Sequence, residues 1–167
     1  MKTYEEAIEY IKEHKCLPDG FDQWELTGGK NGWTVAHAAA TNGCLPKDFT
    51  QWDLANDKGW TVAHAAACCG NLPKGFNQWK LRTRGGKTVA HFAATCKHLP
   101  EDFSQWHLAD NDNKTVFETM VHYYNSIPKW FKDWNLVITD DGETCKEVYG
   151  RIKEWVFLER CLAHDEG

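Results

Sequence analysis

The chain has no apolar run near the ~20 residues that a membrane-spanning helix needs, and its mean hydropathy is −0.61. Its first 15 residues, MKTYEEAIEYIKEHK, are charged throughout and lack the apolar stretch of a secretory signal. Zinc-type Cys-x₂-Cys spacing, a glycine-rich phosphate loop, Gly-x-Ser-x-Gly and His-Glu-x-x-His are also missing. We therefore expect no membrane segment, no metal, no cofactor and no catalytic residue.

The chain also has no excess of basic side chains. Lys and Arg number 19 against 24 Asp and Glu, which gives a net charge of −5. A nucleic-acid-binding surface needs a basic footprint, so this balance argues against nucleic acid as the partner. The seven cysteines are an odd number, and without a secretory signal this is typical of free thiols in a reducing compartment. We expect a cytoplasmic protein, in its own cell or in a host cell.

The main pattern of the sequence is a repeated seven-residue phrase, Thr-Val-Ala-His-Ala-Ala-Ala. Its copies begin every 27 residues, with a last step of 29. The third copy carries Phe92 in place of an alanine, and the last two copies are degraded. The copies begin at Thr34, Thr61, Thr88, Thr115 and Thr144. A fixed period of this size predicts a solenoid of stacked units, in which each threonine is the N-cap of a helix.

Each period contains a second phrase, Leu-Pro-x-x-Phe-x-x-Trp-x-Leu. Its five copies begin at Leu17, Leu45, Leu72, Leu99 and Ile127. Proline suits the first turn of a helix, and Phe and Trp three residues apart share one helical face. We therefore predict a short second helix of about two turns in each unit. Two interpretations of its aromatics compete, a cage for a ligand and core packing between units, and the regular register favours packing.

The segments outside the repeat predict helices that cover its ends. A capping box formed by Thr3 and Glu6 predicts an N-terminal helix over 1–15. The tandem units occupy 16–142. An amphipathic pattern over 143–164 predicts a C-terminal helix, which either covers the last unit or docks a partner or a second copy. We expect one all-α repeat domain over 1–167.

The segments Gly32–Gly43 and Gly59–Gly70 resemble the Gly-x-Thr-Pro-Leu-His-x-Ala-Ala-x-x-Gly motif of the ankyrin-repeat family. The period of 27 residues is shorter than the family's ~33, and the Leu-Pro phrase replaces the usual leucine-rich stretch. The resemblance implies an ankyrin-like helix-turn-helix solenoid with short projecting turns, or fingers. It also implies binding of partner proteins by the fingers and first helices.

The repeated histidines His37, His64 and His91 allow a metal ladder or a catalytic base. A histidine three residues after the N-cap threonine can instead hydrogen-bond the threonine or neighbouring loop backbone, as the ankyrin resemblance implies. Packed helices lie roughly 10 Å apart, too far for two of these rings to share one zinc ion. The cysteines are explained as small buried hydrophobes, although a thiolate role for Cys68 or Cys69 stays open.

Positions that differ between otherwise identical copies carry the functional hypothesis. The residue before each threonine is Trp33, Trp60, Lys87, Lys114 and Glu143 in turn. Because exposed tryptophan is common in binding hot spots, we interpret the first two as partner contacts; the alternative is that each packs flat on the neighbouring finger. Residues of the first helices that differ between units, and the basic residues of one finger, are further candidates for partner contact. The candidate partner-binding residues are Trp33, Trp60, Arg82, Arg84, Lys87, Phe92 and Tyr123.

We therefore expect a non-catalytic module that binds another protein, either as an adaptor or as an inhibitor. One alternative is a pathogen or phage effector that antagonises a host defence protein. A second alternative, from another class, is a metal- or thiol-dependent protein that uses the His and Cys positions.

Overall fold

The fold is built from short helices that follow one another along the chain. A computed structural model describes residues 1–28, 30–124 and 127–154. The helices are α1 (Tyr4–His14), α2 (Val35–Asn42), α3 (Val62–Cys69), α4 (Val89–Thr95) and α5 (Val116–Tyr124), with a 3₁₀ turn at Lys30–Gly32. Helical backbone also runs from 145 to 154. The described part contains no strand, only isolated antiparallel bridges, so the predicted all-α class is confirmed. None of these helices has the length and apolar character of a membrane span.

The helices of the repeat begin at the threonines because the threonine and the preceding phrase satisfy the free amides of the first turn. In the first unit the N–H of Val35 donates to Leu26 O (2.9 Å) and that of Ala36 to Trp24 O (3.1 Å). The hydroxyl of Thr34 caps the third amide. α2 and α3 end at a glycine with a left-handed backbone, the conformation that glycine adopts without steric penalty.

The Leu-Pro phrase forms two successive turns and not a helix, so the prediction of a second helix in each unit is wrong. In the first unit the N–H of Phe21 donates to Pro18 O (3.1 Å) and that of Leu26 to Gln23 O (3.3 Å). The carbonyls of the Trp-x-Leu segment cannot accept from a continuing helix, because they are bonded to the start of the next helix. A spacing of three residues puts Phe and Trp side by side in either conformation.

The phenylalanines and tryptophans of this phrase form one continuous ladder. Edge-to-face contacts join them at 4.8–5.1 Å between centroids within a unit and at 5.0–5.5 Å from one unit to the next. Trp134 ends the ladder on Tyr149 at 5.6 Å. This is the favoured geometry for aromatic pairs, and it confirms the predicted packing between units.

The helices pack in chain order, each on the next from α1 to α5. Their buried faces consist of valine and alanine, such as Val62, Ala63 and Ala66, all fully buried, and these short side chains let neighbouring helices approach closely. The segment predicted as an N-terminal helix contains α1. In the segment predicted as a C-terminal helix, Cys145 and Val148 join the same core, whereas Trp155 and the residues after it lie outside the described residues.

Candidate protein-binding surface

The repeated histidines join each unit to the next. The ring Nδ1 of His37 lies 2.7 Å from the hydroxyl of Thr34, and its Nε2 lies 2.9 Å from the backbone carbonyl of Trp60, one unit further on. His64 and His91 repeat both contacts, with Lys87 O at 3.3 Å and Lys114 O at 2.8 Å. Each histidine therefore caps its own helix and holds the following finger.

These contacts fix the charge and tautomer of the rings. A carbonyl only accepts hydrogen bonds, so Nε2 carries the hydrogen, and Nδ1 accepts from the threonine N–H. All three rings are at most 1% exposed. Burial disfavours the charged imidazolium and lowers the pKa of His37 and His91, and it lowers that of His64 to about 4. Both nitrogens of each ring are thus engaged by protein groups.

The last two units replace this histidine with glutamate. The carboxylate of Glu118 accepts from the N–H (2.8 Å) and the hydroxyl (3.0 Å) of Thr115, as His Nδ1 does in the other units. A carboxylate has no hydrogen to donate to the next finger. Arg151 supplies the link, because its guanidinium lies 3.6 Å from Glu118 and 2.9 Å from Glu143, the residue before Thr144.

A finger precedes each helix of the repeat and is closed at its base by one antiparallel bridge. The bridges are Thr27–Thr34, Ala55–Thr61, Arg82–Thr88, Ala109–Thr115 and Val137–Thr144. Backbone hydrogen bonds also join successive tips, since Asp57 N–H donates to Asn31 O (2.9 Å) and Arg84 N–H to Lys58 O (3.3 Å). The tips of the first three fingers are therefore joined to one another.

The tryptophans predicted as partner contacts, Trp33 and Trp60, are half-buried and pack on the helices of the repeat. Trp60 contacts Phe92 of the next helix at 4.4 Å between centroids, and Phe92 meets the edge of His64 at 5.2 Å. Trp33 packs on His37 at 4.7 Å. The structure thus brings Trp60 and Phe92 into one cluster and leaves Trp33 one unit away. The indole N–H of Trp60 is buried and has no hydrogen-bond partner in the described part of the chain.

The remaining candidates lie exposed on one finger and on α5. Arg82, Arg84 and Lys87 are exposed on one finger, where Arg82 donates to Gly86 O at 2.7 Å. Tyr123, on α5, is 43% exposed. The acidic neighbour Asp110 is buried and accepts the amides of its own turn, so it serves its finger and is not available to a partner. We call the exposed and half-buried candidates together the helix-and-finger face.

Three of the residues that precede a Leu-Pro phrase, Cys44, Asn71 and His98, cap the helix of the preceding unit. Asn71 donates to Ala40 O (2.9 Å), His98 Nδ1 lies 3.2 Å from Ala67 O, and the thiol of Cys44 donates to Lys15 O. These are positions that the metal- or thiol-dependent interpretation would use. No group of three His, Cys, Asp or Glu side chains arranged for a metal ion occurs within 1–28, 30–124 and 127–154. Burial raises the pKa of the Cys68 thiol, which disfavours a thiolate there.

Sequence reasoning missed a second surface, on the side of the Leu-Pro phrases. Two clefts open there, one beside Gly20 and Asp48 and the other beside Gly75 and Asp102. The signal was present in the residue that precedes the ladder phenylalanine, which alternates between glycine and aspartate in the first four copies.

Comparison of the chain with protein-family models and with curated proteins gave no match.

Proposed function

We propose that this chain is a non-catalytic protein-binding module of shortened ankyrin-like repeats, which acts as an adaptor or an inhibitor of another protein. One observation carries the proposal. The residues that hold the units together repeat almost unchanged, whereas the side chains on the helix-and-finger face differ from unit to unit. A stack of like units that varies on one face presents a specific surface without altering its own packing.

The position before each N-cap threonine supports this division most clearly. The carbonyls of Trp60, Lys87 and Lys114 all accept a histidine Nε2, so the backbone has a structural role that any residue fulfils. This bond places no demand on the side chain, which changes from tryptophan to lysine along the chain. Trp60 also packs on Phe92 within the stack, whereas Lys87 is exposed, so the choice of lysine there reflects what the side chain meets outside the stack.

The chemistry of the face suits a partner with an apolar patch bordered by acidic groups. Trp60 and Phe92 offer aromatic surface, and aromatic residues dominate binding hot spots. Arg84 and Lys87 lie exposed on the next finger and add two positive charges at the border. Complementary charge at the rim mainly raises the rate and specificity of association.

The test is recovery of partners from cytosol by immobilised protein, with cross-linking to locate contacts. Because Trp60 is half-buried, we separate loss of binding from loss of folding with exposed substitutions, Arg84→Glu with Lys87→Glu and, separately, Tyr123→Ala. Trp33→Ala with Trp60→Ala is a third variant, and its fold is checked by urea unfolding. Lys47→Ala, at an exposed residue of the Leu-Pro phrase and outside the helix-and-finger face, is the matched control. We expect the three face variants to lose a partner that wild type and control retain; equal recovery by all of them would refute the proposal.

A further inference from the structure

The two clefts on the Leu-Pro side are copies of one site. The smaller, of about 260 Å³, lies between the first and second Leu-Pro phrases, and the larger, of about 510 Å³, between the third and fourth. All eight residues that line the smaller cleft have a counterpart at the same repeat position in the larger one. Seven of the eight are identical, and the eighth is Thr50 in one and Ser104 in the other. We call them the Leu-Pro clefts.

Each cleft contains a half-buried phenylalanine beside a glycine. Gly20 and Gly75 precede Phe21 and Phe76, which are half-buried, whereas the other three ladder phenylalanines are at most 7% exposed. A Cβ added at either glycine would meet nothing within 4 Å. Phe21 and Phe76 line the two clefts, so a ligand in either cleft can reach an aromatic ring.

The unpaired oxygens of the clefts favour a ligand that donates hydrogen bonds. Asp48 and Asp102 are exposed, and neither carboxylate makes an ion pair or hydrogen bond within the described residues. In the larger cleft the side-chain oxygen of Gln105 is buried and has no partner there either. A carboxylate and an amide oxygen both accept hydrogen bonds, so these groups favour a donor, and the carboxylate favours a positive one.

The geometry points to a guanidinium group as the occupant of each cleft, supplied by two arginines of one extended segment of a partner protein. A guanidinium is flat, stacks on an aromatic face and presents a fork of N–H donors that matches a carboxylate. The net charge of −5 attracts such a basic segment. Lys74 and Glu101 line only the larger cleft, where the charge of Lys74 opposes a cation and that of Glu101 favours one.

The repeat sets the distance between the two arginines. Packed helices lie 8–10 Å apart and the clefts are two units apart, which gives roughly 20 Å. An extended chain advances 3.3–3.6 Å per residue, so the arginines should be about six residues apart. Linked occupation of both clefts then raises the affinity well above that of either cleft alone.

The experiment measures the binding of synthetic peptides to the full chain by isothermal titration calorimetry. The peptides place two arginines two to ten residues apart in a chain of Gly and Ser. Single-arginine, double-citrulline and double-lysine peptides serve for comparison. We expect the tightest binding near a separation of six, at least tenfold tighter than the single-arginine peptide. Citrulline has the shape of arginine without its charge and should lose binding, and lysine should bind more weakly.

Variants of the protein assign the binding to the clefts. Asp48→Asn and Asp102→Asn should each reduce the affinity of the optimal peptide about tenfold, and Lys74→Ser should raise it. Asp53→Asn, an exposed carboxylate of the same unit as Asp48 but outside the cleft, should leave it unchanged. The inference is wrong if no peptide binds at 1 mM, if affinity does not depend on the separation, or if citrulline or lysine peptides bind as well. It is also wrong if Asp48→Asn with Asp102→Asn binds like wild type. The clefts share no residue with the helix-and-finger face, so this test and partner recovery fail independently.

Discussion

Acid should destabilise this protein well above the pH at which carboxylates are protonated, because its three repeated histidines are buried in the neutral form. The pKa of His64 is about 4 in the folded chain, against about 6.5 in an unfolded one. Between pH 6.5 and 4 the His64 imidazole is therefore mostly protonated in the unfolded chain and mostly neutral in the folded chain. Stability is complete above pH 6.5 and declines as the pH falls toward 4.

The structure gives the size of this effect. With pKa values of about 6.5 unfolded and about 4 folded, His64 alone lowers the free energy of unfolding by about 2 kcal/mol between pH 7 and pH 5. The lowered pKa values of His37 and His91 act in the same direction. At pH 5 and above most carboxylates stay ionised, so the histidines dominate the change of the free energy of unfolding with pH.

The assay is urea unfolding followed by tryptophan fluorescence at pH 7 and pH 5, with the free energy extrapolated to water. His64→Gln keeps an N–H for the carbonyl of Lys87 and removes the proton-binding site. We expect this variant to be less stable than wild type at pH 7 but to lose about 2 kcal/mol less between pH 7 and pH 5. His107→Gln is the matched control for removing an imidazole, because His107 is exposed and lies outside the Thr-Val-Ala-His phrase.

Two results would refute the reasoning. In the first, wild type is equally stable at pH 7 and pH 5. In the second, His64→Gln loses as much stability as wild type over that range, which would mean that the acid sensitivity arises elsewhere.

Three further variants test the packing by urea unfolding. Trp106→Ala should cost about 3–5 kcal/mol, because this fully buried ring joins the last two ladder units; a cost below about 1 kcal/mol would contradict the ladder. Gly75→Ala should cost about 1 kcal/mol through its left-handed backbone alone, and Gly59→Ala distinctly more, since its Cβ would also strike the backbone nitrogen of Arg84; equal costs would contradict the crowding at Gly59. Arg151→Gln should cost less than about 1 kcal/mol, because the side chain is 53% exposed, and the loss should shrink in high salt; a loss that is unaffected by salt would contradict the ionic link.

The helices of the repeat could be predicted from the sequence because their signals are local. An N-cap threonine, an alanine run and a terminal glycine mark α2 and α3 without any knowledge of the rest of the chain. The Leu-Pro phrase could not be predicted in this way. Whether its carbonyls continue a helix or bond a neighbour depends on a segment about ten residues away, as Leu26 and Val35 show.

The candidate surface was predictable only in part, for the same reason. The bond from His37 to Thr34 follows from their spacing, but the bond of its Nε2 to Trp60 depends on how far one unit is displaced from the next. The half-burial of Trp60 depends on Phe92, 32 positions further along. Each Leu-Pro cleft is lined by two neighbouring Leu-Pro phrases. The alternation of glycine and aspartate could therefore be interpreted only once the structure had placed two phrases side by side.

The links between units also decide which variable residues carry functional information. At Trp60 and Lys87 the link uses the backbone carbonyl, so the side chains are unconstrained by it. At Glu143 the link uses the side chain itself, through Arg151, because Glu118 cannot donate. A change from lysine to glutamate at this position therefore has a structural cause, and Glu143 drops out of the functional argument. Variation at a repeat position argues for binding only where the stack uses the backbone alone. That condition holds for the exposed Lys87, whereas the side chain of Trp60 also packs on Phe92.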